Sequence, residues 1–139
     1  MAIQKQEFYE GAAIHQLVRA GNVKSIRYTG QLFILNEEIA VLLKHCTRGR
    51  SPWGFTFTSE ERLVLQKQAE GSSPVIGLIC ASDGIALCAY DVFLDVAGGG
   101  HEPVRLSCFR KHGEYYELKG PNGSAEQKVP PSEWRNLLG

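Results

Sequence analysis

No surplus of either charge runs through these 139 residues: fifteen Lys and Arg are matched by fifteen Asp and Glu, a formal net charge of zero. A whole-molecule field that draws in nucleic acid or an anionic membrane is thereby excluded, and any such attraction has to come from a local patch. Long apolar runs are missing as well. The longest, such as Ile39 to Leu43, hold about five residues, against roughly 20 for a bilayer-spanning helix. The opening stretch, Met1 to Glu7, is polar and lacks the apolar centre of a signal peptide. No membrane partner is expected, and the expected location is cytoplasmic.

Paired cysteines are absent too. Cys46, Cys80, Cys88 and Cys108 are widely spaced with no CxxC among them, and three of the four sit in apolar strand-like context. Buried reduced thiols are expected, rather than a zinc site completed by His45 or His112, because tight ligand pairs are missing. The chain has no G-x-S-x-G, and Gly98-Gly99-Gly100 lacks the Lys and the strand-to-helix setting of a phosphate-cradling loop. His45 and Cys46 are neighbours on a strand, so they point to opposite faces and cannot act on each other. Asp83 reads as turn chemistry in Ser82-Asp83-Gly84, Asp91 as a helix cap and Asp95 as an exposed helical position. None of this calls for a cofactor. There is no internal repeat, low-complexity tract or dividing linker, so residues 1–139 read as one domain.

What the sequence does have is an ordinary globular composition, 43% hydrophobic and 22% charged, arranged around the stretch Leu32 to Thr58. Leu32-Phe33-Ile34-Leu35 and Ile39-Ala40-Val41-Leu42-Leu43 are solid apolar runs split by Asn36-Glu37-Glu38. Runs without alternation suit strands covered on both faces, and the polar interruption makes them a hairpin inside a sheet. Before them, residues 4–20 predict a helix with Tyr9, Ala13, Ile14, Leu17 and Val18 on one face. Val23–Thr29 follows as a strand, and Gly30-Gln31 as a tight connection. After them come a polar loop, Thr47 to Pro52, and a short aromatic segment, Trp53 to Phe57. Thr58 and Glu61 have the spacing of a capping box for a helix reaching about Glu70. Pro74–Ala81 and Ile85–Ala89 predict a strand pair, and Val92–Ala97 a short helix. Val104–Arg110 and Glu114–Lys119 predict a hairpin, Gln127–Val129 a short edge strand, and Glu133–Leu138 a last helical turn anchored by Trp134. The class is α+β: a core over 4–81 and a β-rich extension with a short C-terminal helix over 82–139.

Two groups of basic residues stand out. Lys44, His45, Arg48, Arg50 and Trp53 fall within ten residues of one another, and cations beside an aromatic suit phosphate and base contacts. Arg110, Lys111 and His112 form a second group at a predicted hairpin tip, with Glu114 and Glu117 close enough to neutralise it. If both tips lie at one end of the sheet, Lys44, Arg48, Arg50, Trp53, Arg110 and Lys111 form a local nucleic-acid-binding surface. A partner protein or a homodimer is the other expected partner, because the Val104–Arg110 and Glu114–Lys119 strands need an edge partner or a cover.

The predicted order over 4–81, helix, three strands, helix, strand, resembles the core of the restriction-endonuclease-like nucleases, the PD-(D/E)XK superfamily. In that superfamily the second strand carries an Asp, and the third carries an acid and a Lys two residues apart. These hold Mg²⁺ and orient the attacking water. Here the matching Lys is Lys44, while Leu42 stands in place of the acid and Asn36 in place of the Asp. Glu7 or Glu10 on the first helix supplies one acid in that architecture, and Glu37 lies in the turn. The resemblance therefore implies a nuclease-like scaffold that has lost catalysis. The alternative is a metal-dependent nuclease built on Glu7 or Glu10, Glu37 and Lys44.

Overall fold

The apolar run at the centre of the chain becomes the middle strand of a five-stranded sheet. The computed structural model describes residues 2–139. Strands β1 (Ile26–Tyr28), β2 (Phe33–Leu35) and β3 (Ile39–Cys46) form an antiparallel meander, with Leu35 opposite Ile39 across the turn. The chain then leaves the sheet through β4 (Trp53–Phe57) and helix α2 (Ser59–Ala69). It returns as β5 (Val75–Cys80), parallel to β3 with Cys46 beside Cys80. Strand β6 (Gly84–Ala89) turns back antiparallel to β5, and the sheet order is β1-β2-β3-β5-β6. A second sheet has the order β4-β7-β8-β9, from β7 (Val104–Phe109), β8 (Glu117–Gly120) and β9 (Gly123–Ser124). Helices α1 (Lys5–Ala20) and α3 (Tyr90–Ala97) and a 3-10 turn at Pro131–Glu133 complete an α+β fold. No described helix is long and apolar enough to cross a membrane.

Alternation along β3 explains its composition. Ala40 and Leu42 enter a core shared with the second sheet, while Val41 and Leu43 enter another beneath α1. Both faces are covered, so the strand is apolar at every position from Ala40 to Leu43. The second sheet is covered on one face only, and its strands alternate. Trp53, Phe55 and Phe57 of β4, with Val104, Leu106 and Cys108 of β7, point inward, and Thr56 and Arg105 point to water. Under α1, Trp134 lies against Gly77 and donates its indole N–H to the Ala13 carbonyl at 3.0 Å. A Cβ on Gly77 would come within 2.7 Å of Leu43 and 3.0 Å of the Trp134 ring, so the C-terminal Trp seats here only because residue 77 is glycine.

Several expectations are corrected by packing. Val18, placed on the buried face of α1, is 52% exposed, because the sheet covers only the Ala13–Leu17 side. The first strand is Ile26–Tyr28, exposed throughout, not Val23–Thr29; Asn36 bonds the backbone of Lys24 and Ser25 with its side chain instead. Asp91 lies inside α3, whose N-cap is Ala89. Residues 110–116 form a loop wider than a tight hairpin tip, so β7 stops at Phe109 and β8 starts at Glu117. Gln127–Val129 makes one bridge, Tyr116 to Val129, and no strand. The C-terminal helical turn is the 3-10 turn at Pro131–Glu133, ahead of Trp134. Strand β4 leaves the stretch before residue 82 to pair with β7, while β6 from the later stretch completes the first sheet. The β7 edge that needed a partner is thus taken by β4 of the same chain.

Candidate nucleic-acid interface

Strand pairing decides where the basic loops go. Trp53 pairs with Cys108, so the loop entering β4 and the loop leaving β7 emerge together. Cys46 and Cys80 end parallel neighbours, which brings the β5–β6 turn to the same end. The Ser51 hydroxyl donates to the Arg110 carbonyl at 3.1 Å, tying two segments 59 residues apart. The result is a cleft of about 360 Å³ lined by Arg50, Ser51, Asp83, Arg110, Lys111 and His112 among others. Arg50, Lys111 and His112 are exposed, and Arg110 is half-buried.

One carboxylate sits among these cations. Asp83 Oδ2 accepts from Arg110 Nη1 at 3.0 Å and from the Tyr116 hydroxyl at 2.7 Å. The Arg110 guanidinium also lies 5.1 Å from the centre of the Tyr116 ring, within cation–π range, and its Nε donates to the Glu114 carbonyl at 2.7 Å. Burial opposes the charge on Arg110, but the hydrogen bond to Asp83 and the negative charge of that carboxylate outweigh it, leaving its pKa above the ordinary value. Burial first, and then donation to Asp83, push the Tyr116 hydroxyl upward, so it stays protonated and remains a donor. Gly84, at φ +155°, makes room: a Cβ there would stand 2.5 Å from the Tyr116 oxygen. The Asp83 side chain is 35% exposed, and its other oxygen, Oδ1, accepts nothing among the described residues.

The residues read from sequence divide into three fates. Arg50, Arg110 and Lys111 line the cleft, and Arg48 is exposed in the loop just before it. Trp53 is 2% exposed; it joins the core and donates its indole N–H to the Arg48 carbonyl at 2.9 Å. It shapes the loop from below and offers no stacking surface. Lys44 is bound to Glu61, both of whose oxygens lie 2.9 Å from Nζ, and its ammonium lies 5.4 Å from the Phe57 ring centre. Glu61 also completes the capping box: Thr58 N–H donates to its Oε1, and Glu61 N–H donates to the Thr58 hydroxyl. The Glu114 carboxylate faces Lys128 at 3.6 Å.

Asp83 and Ser51 in the cleft lining, and Tyr116 buried behind Asp83, are residues that sequence reasoning missed. Asp83 in a Ser-Asp-Gly turn carries no mark of an Arg partner 27 residues on. The aromatic the loop does expose is Tyr115, at 52%; its neighbour Tyr116 is fully buried.

The acids considered for a nuclease centre are dispersed. Glu7 accepts from the Gln4 N–H, Glu10 from Gln6, and Glu37 pairs with Arg27 at 3.1 Å on the open surface. Glu10 does share a small cleft of about 110 Å³ with Glu61, beside Phe33 and Leu42. Among the described residues, no three His, Cys, Asp or Glu gather where a metal ion could be held. Three of the four thiols, Cys80, Cys88 and Cys108, lie in the core, and Cys46 is partly buried against it. Cys80 and Cys108 are 3.8 Å apart, and Cys80 is raised by that contact and by burial; burial pushes Cys88 up to about 12.

Compared with family models, curated proteins and solved structures, the chain finds no match in any of the three.

Proposed function

We propose that this protein is a non-catalytic binding module for nucleic acid, and that the cleft between the Arg48–Arg50 loop and the Arg110–Lys111 loop takes the phosphate backbone. The observation that carries the reading is the convergence of two basic loops, distant in sequence, on one concave surface tied by the Ser51–Arg110 hydrogen bond. In a chain of zero net charge, such a concentration of cations is the local patch that phosphate binding needs. Arg48, Arg50 and Lys111 are exposed, so they reach a ligand without breaking an internal bond. Trp53 and Lys44 have no part in this version: one is core and the other is paired. The stacking role expected of Trp53 falls instead to Tyr115, exposed on the Arg110–Lys111 loop.

The test is a salt titration of single-stranded oligonucleotide binding. With about three phosphates neutralised, log K falls against log salt with a slope of roughly −2 for a single strand. A flat salt response, or full affinity in the Arg50→Ala, Lys111→Ala double variant, rejects the reading. A second reading, a metal-dependent nuclease, draws on Glu10 and Glu61 lining one cleft with Lys44 bonded to Glu61. It requires Mg²⁺-dependent cleavage that disappears in Lys44→Ala.

A further inference from the structure

A cleft built for phosphate alone has no use for a carboxylate at its wall, since an acid repels the ligand and neutralises one of the cations. Asp83 is such an acid. It lines the same cavity as Arg50, Arg110 and Lys111, and its two oxygens are used unequally. Oδ2 takes both the Arg110 guanidinium and the Tyr116 hydroxyl; Oδ1 takes no hydrogen bond from any described residue on a side chain 35% exposed. Two donors on one oxygen fix the plane of the carboxylate. Tyr116 is fully buried and Gly84 leaves the space its hydroxyl needs, so the group is held from the protein side. What remains is an oriented acceptor beside cations. A phosphate cannot satisfy it, but a hydroxyl next to a phosphate can, and in nucleic acid the backbone hydroxyl that distinguishes one polymer from the other is the ribose 2′-OH.

Resting on the nucleic-acid reading above, we infer that the ligand is single-stranded RNA rather than DNA: Asp83 Oδ1 accepts from a ribose 2′-OH while Arg50, Arg110 and Lys111 hold the flanking phosphates. The bases are not addressed by this contact, so the discrimination is between sugars and not between sequences. Arg110 serves both partners, since the bond that aims Asp83 also holds the guanidinium at the cleft wall.

The experiment uses the full chain and three uridine oligomers of roughly ten nucleotides, within the usual span of a single-strand site. They carry ribose, 2′-deoxyribose or 2′-O-methylribose on the same base. Binding is read by fluorescence anisotropy at a low and a high salt concentration. One hydrogen bond to a charged acceptor corresponds to roughly a tenfold difference, so the ribose oligomer should bind about tenfold tighter than either of the others. In Asp83→Ala, which removes the acceptor and is checked for folding by its melting curve, the ratio of ribose to deoxyribose affinity should fall to about one. Equal affinity of the wild-type protein for all three oligomers overturns the inference while leaving the nucleic-acid reading standing. A preference that survives Asp83→Ala also overturns it, and assigns Asp83 to holding Arg110 alone. Absence of salt-sensitive binding to any of the three overturns the nucleic-acid reading and this inference with it. If Asp83→Ala fails to fold, Tyr116→Phe, which removes one of the two donors that orient the carboxylate, should lower the ribose-to-deoxyribose ratio, and an unchanged ratio overturns the inference.

Discussion

Two half-buried ion pairs in this molecule join the same kinds of group and differ in what they leave over. Lys44–Glu61 bridges β3 and the start of α2. Its carboxylate is fully used, with both oxygens on the ammonium and one also on the Thr58 N–H. Arg110–Asp83 bridges the loop after β7 and the β5–β6 turn, and one of its carboxylate oxygens takes no hydrogen bond from the described residues. The first pair closes a seam between a helix and a strand; the second stands at the wall of a cleft. A cation–carboxylate contact therefore does not itself mark a site. The spare acceptor and the exposed cations around it separate the second pair from the first.

Among single substitutions, the largest expected effect is at the closed pair. Lys44→Ala leaves Glu61 about 20% exposed without its cation, at a cost of about 1–3 kcal/mol, discounted toward the lower end because water still reaches the carboxylate. Urea unfolding should show the loss, while oligonucleotide affinity stays at the wild-type value. An affinity loss with unchanged stability would reverse the two roles.

At the open pair, Tyr116→Phe removes a donor to Asp83 and costs about 1 kcal/mol in thermal unfolding. It should also weaken oligonucleotide binding, since the carboxylate loses one of the two groups that orient it.

Alkaline pH sharpens the same contrast. Tyr116, Cys80 and Cys88 all have folded-state values above their ordinary ones of 10.0 and 9.0. The folded chain keeps these protons where the unfolded chain releases them, so their contribution is fully present below about pH 9 and is lost as pH rises. The loss runs at up to about 1.4 kcal/mol per pH unit for each group. Chemical denaturation between about pH 8 and 11 should show this fall, and Tyr116→Phe should remove the part that sets in near pH 10. Stability that is flat across this range would contradict the buried, protonated Tyr116.

The smallest expected effect on the fold is at the exposed cations. Arg50→Ala should leave the melting temperature unchanged, because surface substitutions of this kind stay within about 0.5 kcal/mol. It should lower the magnitude of the salt slope by about 0.7. Both are read in one titration paired with a melting curve.

Local chemistry in this chain was legible wherever it depends on neighbours in sequence. The Thr58–Glu61 capping box forms as its spacing requires, and the two apolar runs around Asn36–Glu38 pair as a hairpin with Leu35 opposite Ile39. Cysteine context was a sound guide to burial for Cys80, Cys88 and Cys108, and a partial one for Cys46. Legibility failed where burial depends on what lies above a residue. Trp53 reads as an exposed aromatic among cations, but β4 turns it inward against Tyr116. Val18 has helical spacing to Leu17's side of α1, yet the sheet does not extend under it.

From its residues alone this chain determined the α+β class, the middle hairpin and its doubly covered strand, because periodicity and capping act over a few residues. Only the tertiary structure decided that β4 leaves the first sheet for β7, that Lys44 belongs to Glu61, and that Arg50, Arg110 and Lys111 share a cleft with Asp83. Those outcomes depend on contacts between segments tens of residues apart. Such contacts are selected by which faces must be covered together, and no stretch of sequence carries that information by itself.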